Sequence, residues 1–357
     1  MRRFMKAASF ACLASIATSA PSQQYQLQLL PNADIGWGIN FAGDCTGTHF
    51  PPPGDQGRAF IYSDAGGSMD LPPVGSLTNC LGYAINDFDQ VAGTANDRPA
   101  IWTNGVGQVI PMLPDYNSAR VTGISNSGLV IGYPMGVFGP GPHSGFIWSS
   151  STGVAPLLPL TGSNSSRAYN INNSDVVVGL SFYSNGANKA TEWVNGVPSE
   201  LAPGQNFSEG FANNDQGNVV GTRSDGSAVF WERGHPLTLI GHLPGYSGIN
   251  PRGLNNSNIA VGNAGNVTPQ PTSRGWVWDA DHGLQDLNLV TTGMPSGWTI
   301  TWATGINDNG QIVGIAENSA GWGYAVRLNP VPEPSAAMAF GFGIALLVGT
   351  RAALRRG

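Results

Sequence analysis

The sequence Gly305-Ile306-Asn307-Asp308-Asn309-Gly310-Gln311-Ile312-Val313-Gly314 places two short apolar segments on either side of a turn made of Asn, Asp and Gly. Asn and Asp side chains hydrogen-bond their own backbone in turns, and like Gly they tolerate left-handed backbone conformations. The stretch therefore predicts a β-hairpin whose second strand is closed by Gly314.

This hairpin sequence recurs along the chain. Its copies align without gaps on a closing glycine, at Gly47, Gly93, Gly132, Gly179, Gly221, Gly262 and Gly314. An Asn or Ser stands seven residues before each glycine, at Asn40, Asn86, Ser125, Asn172, Asn214, Asn255 and Asn307. The residue before it is Ile or Leu except in the fifth copy, where it is Asn213. Internal repeats of about 40–50 residues predict a solenoid or a propeller.

Each copy continues with a short aromatic strand and then a strand rich in leucine. In the third copy these are Phe146-Ile147-Trp148 and Val154-Ala155-Pro156-Leu157-Leu158-Pro159, and in the second the leucine strand is assigned to residues 109–114. Four antiparallel strands in a unit of this length are typical of a propeller blade. The first and fifth copies depart from the pattern, and we expect those blades to be irregular.

The two ends of the repeat region complement each other. The seventh copy stops after its third strand, at Leu328, and residues 25–30 before the first copy match the strand that is missing. Pairing the two closes the ring and removes both open sheet edges, as an all-β fold requires. The sequence thus predicts an all-β, seven-bladed β-propeller of four-stranded blades over residues 21–330, with the Ile-Asn strand innermost.

Composition narrows the class of protein. Charged residues make up 11% of the chain and the net charge is −6, so no nucleic-acid partner is expected. Hydrophobic residues make up 41%, enough to fill a core.

Cys45 and Cys80 remain once the N-terminal leader is set aside. In an exported chain, two cysteines favour the prediction of a disulfide between them. The alternative is a pair of buried free thiols.

Both termini have the composition of targeting segments. Residues 1–20 contain a basic start, an apolar run and small residues before a polar stretch, which is typical of a secretory signal peptide. Residues 331–357 begin with Val331-Pro332-Glu333-Pro334-Ser335, continue with an uncharged apolar run to Thr350, and end in an arginine cluster. The run is predicted to be a transmembrane helix that stops export and leaves the arginines on the cytoplasmic side.

Those last 27 residues resemble the PEP-CTERM sorting signal of Gram-negative bacteria, through Pro332, Glu333, Pro334 and Ser335, the apolar helix and the terminal arginines. The resemblance implies an exosortase-type processing enzyme as a partner, membrane anchoring through the helix before processing, and delivery to the cell surface or the exopolysaccharide matrix. The repeat, from about residue 25 to 329, resembles the extracellular HAF repeat family. That resemblance implies an exported repeat protein and carries no known activity to these residues.

Candidate sites are few. The single acids and the five scattered histidines have no metal-ligand spacing, and we expect no metal, no cofactor and no catalytic residue. The tryptophan column formed by Trp102, Trp148, Trp193, Trp231 and Trp278 is interpreted as packing between blades in preference to a sugar-stacking ladder.

A second column of the repeat lies five residues before each repeat Asn, and its side chains vary in size and charge. We expect this column to precede the innermost strand and to surround one mouth of the channel. Its polar and aromatic members are the candidate ligand-binding residues Arg120, Arg167, Glu209, Asn250 and Trp302.

The sequence predicts a functional class but not a specific ligand. It favours a monomeric, exported, non-catalytic propeller that acts in the cell envelope or exopolysaccharide matrix as a binding or structural module, with an exopolysaccharide or an envelope protein as partner. The alternative is a carbohydrate-active enzyme, a glycoside hydrolase or polysaccharide lyase, which would need paired carboxylates at the channel mouth.

Overall fold

The computed structural model describes residues 23–52, 56–114, 116–136, 143–265 and 273–332, and these form seven antiparallel sheets around a central channel. The predicted seven-bladed propeller of four-stranded blades is confirmed, and the Ile-Asn strand of each repeat is the innermost. The signal peptide and the C-terminal sorting helix lie outside the described residues.

The strands follow one another from the channel outwards in every blade. The N-terminal strand β1 (Gln24–Leu29) belongs to the last blade. Blade 1 consists of β2 (Ile35–Ile39), β3 (Cys45–His49), β4 (Arg58–Ser63) and β5 (Gly67–Asp70). Blade 2 consists of β6 (Cys80–Ile85), β7 (Val91–Ala95), β8 (Arg98–Thr103) and β9 (Val106–Val109). Blade 3 consists of β10 (Ala119–Ile124), β11 (Val130–Pro134), β12 (Gly145–Ser149) and β13 (Gly153–Leu157).

The remaining blades repeat this order. Blade 4 consists of β14 (Ser165–Ile171), β15 (Val177–Phe182), β16 (Asn188–Val194) and β17 (Val197–Glu200). Blade 5 consists of β18 (Phe207–Asn213), β19 (Val219–Arg223), β20 (Ala228–Trp231) and β21 (Thr238–Gly241). Blade 6 consists of β22 (Gly248–Leu254), β23 (Ala260–Gly265), β24 (Arg274–Asp279) and β25 (Gly283–Asp286). A short helix α1 (Leu287–Val290) and strand β26 (Thr291–Thr292) then lead to blade 7, built from β27 (Thr299–Ile306), β28 (Ile312–Glu317), β29 (Gly323–Val331) and β1.

The N-terminal strand closes the ring as predicted. β1 runs antiparallel to β29 with Leu27 opposite Leu328, and Tyr25 is 1% exposed in the core of blade 7. The structure adds a feature that the sequence did not reveal, because β26 pairs in parallel with Tyr25 and Gln26 and so covers part of the outer edge of β1. Blade 7 is therefore five strands wide, and less of the closing strand is left as an open edge.

The leucine-rich fourth strands begin and end earlier than predicted. β9 ends at Val109, although the predicted strand ran from there to residue 114, and β13 ends at Leu157. Pro111 and Pro114 have no backbone N–H to donate, so they cannot continue a ladder.

The first and fifth blades are expected from their sequence to be irregular. Blade 1 has the same inner-strand bulge as its neighbours, whereas blade 5 has further register shifts in β18 and β20.

The tryptophan column packs between blades, as predicted. Trp102 and Trp193 are at most 1% exposed, and their indole N–H groups donate to the carbonyls of Pro72 and Leu158 at the ends of the preceding blades. Aromatic side chains of this size supply much of the apolar area that a core buries. The column is thus part of the blade-to-blade interface and does not form a sugar-binding ladder.

The structure corrects the expected disulfide. Cys45 and Cys80 are free and buried, in the cores of different clusters, and their thiols lie near the carbonyls of Gly43 and Leu77 respectively. Burial raises the pKa of Cys45 to about 12, which keeps the thiol protonated. They behave as two small apolar core residues.

Among residues 23–332 as described, no helix has the length and apolar character to span a bilayer.

Candidate functional site

The repeat asparagines join each blade to the next. The Oδ1 atom of Asn307 accepts hydrogen bonds from the backbone N–H groups two and four residues later, which fixes the turn. Its Nδ2 atom donates to the carbonyl of Asn40 in the next blade. Six bonds of this second kind, of 2.7–3.3 Å, start from Asn40, Asn86, Asn172, Asn214, Asn255 and Asn307. At the seventh junction Ser125 donates through Oγ to Asp175 of the next blade instead.

The turns themselves follow the predicted chemistry. Three residues after each repeat asparagine the backbone takes a positive φ, and the position is occupied by Gly43, Asp89, Gly128, Asp175, Gly217, Asn258 and Gly310. Glycine, asparagine and aspartate are the residues that adopt this conformation at least cost. The repeated Asn-Asp-Asn-Gly sequence is thus a turn, and within the described residues no three Asp, Glu, His or Cys side chains gather as a metal site would require.

Every innermost strand carries a β-bulge at the same position. Three residues before the repeat asparagine, one residue is left without a partner on the second strand, as between Gly36 and Gly38 or between Gly82 and Ala84. The bulged residues are Trp37, Tyr83, Thr122, Tyr169, Phe211, Arg252 and Thr304. A bulge re-aims the side chain of the extra residue, and all seven of these residues line the channel cavity.

The bulge also explains the closing glycine of the repeat. Gly93 lies inside β7, opposite Gly82, and a Cβ built on it would overlap the carbonyl oxygen of Leu81. The same overlap with the inner strand occurs at all seven closing glycines. The glycine is therefore needed for close approach of two backbones within the blade, and it does not terminate the strand as predicted.

The channel contains a cavity of about 450 Å³, within the roughly 300–1,000 Å³ of small-molecule sites. An almost continuous band of aromatic side chains surrounds it, formed by Trp37, Tyr83, Tyr133, Tyr169, Phe211 and Trp302, here called the aromatic belt. Tyr169 stacks on Phe211 with ring centroids 5.0 Å apart, and Trp37 contacts Tyr83 at 5.9 Å and Trp302 at 6.3 Å. The belt offers ring faces and edges from six of the seven blades.

Two arginines interrupt the belt. The guanidinium of Arg120 lies 4.7 Å from the ring centroid of Tyr83, and that of Arg252 lies 5.1 Å from the ring centroid of Trp302. Burial lowers the pKa of Arg252, and the nearby positive charge of Arg120 lowers it further. Arg252 donates to the side-chain oxygen of Asn263, and neither guanidinium pairs with a carboxylate of the described residues. At the level of the aromatic belt, the cavity therefore holds two guanidinium groups that have no directly paired carboxylate among the described residues.

The mouth of the cavity is a ring of seven turn residues, six of which are polar. The position after each repeat asparagine is Phe41, Asp87, Asn126, Asn173, Asp215, Asn256 or Asp308, here called the mouth ring. Each backbone N–H from Phe41 to Asn256 donates to the side-chain oxygen of the next member, at 2.7–3.2 Å. The ring is interrupted only where Phe41, which has no acceptor, follows Asp308. Most members are exposed, so the cavity opens to solvent here.

The structure separates the five predicted ligand-binding residues into two groups. Arg120 and Trp302 line the cavity, whereas Arg167, Glu209 and Asn250 do not. Their column lies within the inner strands and not before them as predicted, for example as the second residue of β10 and the fourth of β27. Glu209 accepts a hydrogen bond of 3.4 Å from Asn188, and burial raises its pKa. Among the five, the cavity therefore selects Arg120 and Trp302.

Sequence reasoning missed the bulged column, all seven members of which line the cavity. Its signal is present in the repeat, because large residues such as Trp37 and Tyr83 stand between small ones, Gly36 and Gly38 in blade 1 and Gly82 and Ala84 in blade 2. A Cβ on Gly36 would crowd the second strand of blade 7, and a Cβ on Gly38 would crowd the inner strand of blade 2. Small residues on either side of a large one thus mark a position where strands approach and one side chain projects.

No family model and no curated protein matches the sequence. Among solved structures, the chain is similar to virginiamycin B lyase from Staphylococcus aureus, with a TM-score of 0.55 and 12% identity over 86% of this chain and 100% of that one. It is also similar to TolB from Acinetobacter baumannii, with a TM-score of 0.44 and 14% identity over 82% of this chain and 64% of that one. A fungal AA5-family alcohol oxidase aligns with a TM-score of 0.45 and 9% identity over 86% and 76%. Likeness at this identity concerns the fold alone.

Proposed function

We propose that this chain is an exported, surface-sorted and non-catalytic β-propeller whose central cavity binds a saccharide of the cell envelope or the extracellular polymer. The observation that carries the proposal is the aromatic belt around a cavity that opens to solvent. A pyranose ring has C–H groups on its faces and hydroxyl groups around its edge. It therefore suits a site that combines aromatic faces with polar amide and carboxylate groups.

The polar groups of the cavity complement this chemistry. Asn213, which replaces the isoleucine of the repeat, lines the cavity and is 5% exposed. Its Nδ2 atom donates to the carbonyl of Val176, while its Oδ1 atom has no hydrogen-bond partner among the described residues. A buried polar atom without a partner costs about 1–3 kcal/mol. A rotation of the Asn213 side chain that turns this oxygen towards the channel would let a ligand hydroxyl donate to it and remove that cost.

The acids near the cavity are engaged in hydrogen bonds between blades, which is the basis for proposing binding without catalysis. Asp87 accepts hydrogen bonds from the N–H of Phe41 and from the amide of Asn126, so its carboxylate joins blade 2 to both neighbouring blades. Among the described residues, Asp44 and Asp89 form an acidic pair in contact, but neither lines the cavity. A glycosidase needs two carboxyl groups on either side of the bond to be broken. Asp215 and Asp308 do line the cavity, and both accept hydrogen bonds from the amide nitrogen of Asn256. Each also accepts from a backbone N–H of the preceding blade, so these carboxylates hold the mouth ring. Product analysis in the test below separates holding a sugar from cleaving one.

A direct test is calorimetric titration of the mature chain with a panel of oligosaccharides, followed by analysis of the products. We expect saturable binding of at least one saccharide without cleavage, and a loss of affinity of at least tenfold in Trp37→Ala and in Trp302→Ala. Trp322→Ala is the matched control, because Trp322 is 69% exposed and lies outside the cavity. Binding that survives both cavity substitutions, or release of cleaved sugar, would contradict the proposal.

A further inference from the structure

The positive and negative side chains that line the channel lie at different depths along its axis. Arg120 and Arg252 lie at the level of the aromatic belt, and Asp87, Asp215 and Asp308 lie in the mouth ring. The inner strands place these two levels a few residues apart along the same cavity. A ligand that enters from the mouth therefore meets carboxylates first and guanidinium groups at depth.

We propose that the cavity recognises a saccharide whose terminal sugar carries a carboxylate, with that carboxylate between Arg120 and Arg252 and a neutral, hydroxyl-bearing part at the mouth ring. The inference rests on the proposed function and adds a ligand class to it. Guanidinium groups bind planar carboxylates through paired, charge-assisted hydrogen bonds.

The positions of the two arginines support this assignment. They come from blades 3 and 6, and each lies against an aromatic ring of another blade, Tyr83 for Arg120 and Trp302 for Arg252. Contact with an aromatic face orients a guanidinium without using up its N–H donors. Like charges that are close together and partly removed from water repel each other, and a single anionic group between them would relieve that repulsion.

The carboxylates of the mouth ring limit where a bound ligand can carry negative charge. Its carboxylates accept hydrogen bonds from backbone N–H and Asn side chains but remain exposed and negative, as at Asp215 and Asp308. Sugar hydroxyl groups donate to carboxylates, whereas a second ligand carboxylate at this level would be repelled. One deep charge followed by neutral sugars therefore fits the cavity better than a chain of uronic acids.

Three trisaccharides test the assignment by calorimetry: one with a terminal glucuronate on two neutral sugars, the same compound reduced to the alcohol at that carboxyl, and a trigalacturonate. We expect the first to bind at least tenfold more tightly than the other two, and its affinity to fall as salt is raised. Equal affinity for the acid and its reduced form would overturn the inference and leave saccharide binding intact. Absence of binding by all three would count against both proposals.

Side-chain variants separate recognition of the charge from general damage. Arg120→Gln and Arg252→Gln should each weaken the glucuronate compound about tenfold, while the affinity for the reduced form changes less than about twofold. Arg167→Gln is the matched control, because Arg167 occupies the same column as Arg120 and contacts Tyr133 at 5.1 Å, yet does not line the cavity. An equal loss for both ligands, or an equal effect of the control, would overturn the inference.

Discussion

The side-chain amide of Asn307 donates a hydrogen bond of 2.9 Å to the backbone carbonyl of Asn40, and this contact joins the last blade of the propeller to the first. The same side chain holds its own turn through its carbonyl oxygen. One residue type thus shapes the hairpin and links it to the next blade in six of the seven repeats, which explains why those repeats keep an asparagine at this position. The ring of blades is closed at two places, here beside the channel and at the outer strand β1.

Replacing Asn307 by Ala should lower the free energy of unfolding by about 1–3 kcal/mol, because buried backbone groups of both blades lose their partner. Asn309→Ala is the matched control. Its amide also bonds blade 1, at the carbonyl of Phe41, but that contact is exposed and should contribute about 0.5 kcal/mol or less. Urea unfolding monitored by fluorescence measures both. Equal effects of the two substitutions would show that the buried ring of amides is not what holds the blades.

Replacing Gly93 by Ala should be strongly destabilising, by about 3 kcal/mol or more, because the added methyl group overlaps the carbonyl of Leu81 and the bulge cannot form. Gly323→Ala provides the comparison within another strand. The nearest heavy atom to its added Cβ is Cγ2 of Ile315 at 3.4 Å, an ordinary contact, so we expect a change of about 0.5 kcal/mol or less. Thermal unfolding of the two variants distinguishes the outcomes, and a well-tolerated Gly93→Ala would contradict the role assigned to the bulge.

The repeat sequence predicts the architecture of the propeller but not the residues that line its cavity. The repeat fixed the number of blades because Asn307 and Gly314 recur at constant spacing, and the unmatched segment around Tyr25 showed how the ring closes. The cavity wall was not predicted, because a bulge changes the direction of one side chain without changing the spacing of the repeat. The column containing Arg120 was chosen for its variability, but the neighbouring column containing Trp37 supplies more of the wall.

The ion pair between Asp64 and Arg327 should make ring closure sensitive to acid. Arg327 is 3% exposed, and its hydrogen bond to Asp64 of blade 1 holds the pKa of that carboxyl below its ordinary value. A carboxyl group with a lowered pKa in the folded chain stabilises the fold above its unfolded pKa of about 4, and that contribution is lost as the pH falls through the folded value. Asp64→Asn should therefore lower the melting temperature at pH 7 and have a much smaller effect near pH 2.

Asp44 should show the opposite dependence. Burial and the neighbouring carboxylate of Asp89 raise its pKa, so its ionised form opposes folding once the pH exceeds the unfolded pKa of about 4. Asp44→Asn should raise the melting temperature at pH 7 and leave it unchanged near pH 2. Melting curves of both variants across this range test the pair together, and shifts of the same sign at pH 7 would contradict the assignment.

The claim that the channel binds a saccharide through its aromatic belt is tested most directly by the indole N–H signals of the ten tryptophans in a nitrogen-15 NMR titration. Titration with the glucuronate-terminated trisaccharide should shift the signals of Trp37 and Trp302, assigned by single substitution. The signals of Trp102 and Trp193, whose indole groups are bound to carbonyls between the blades, should stay in place. A titration in which Trp37 and Trp302 do not move, or in which only the exposed Trp322 moves, would contradict the account.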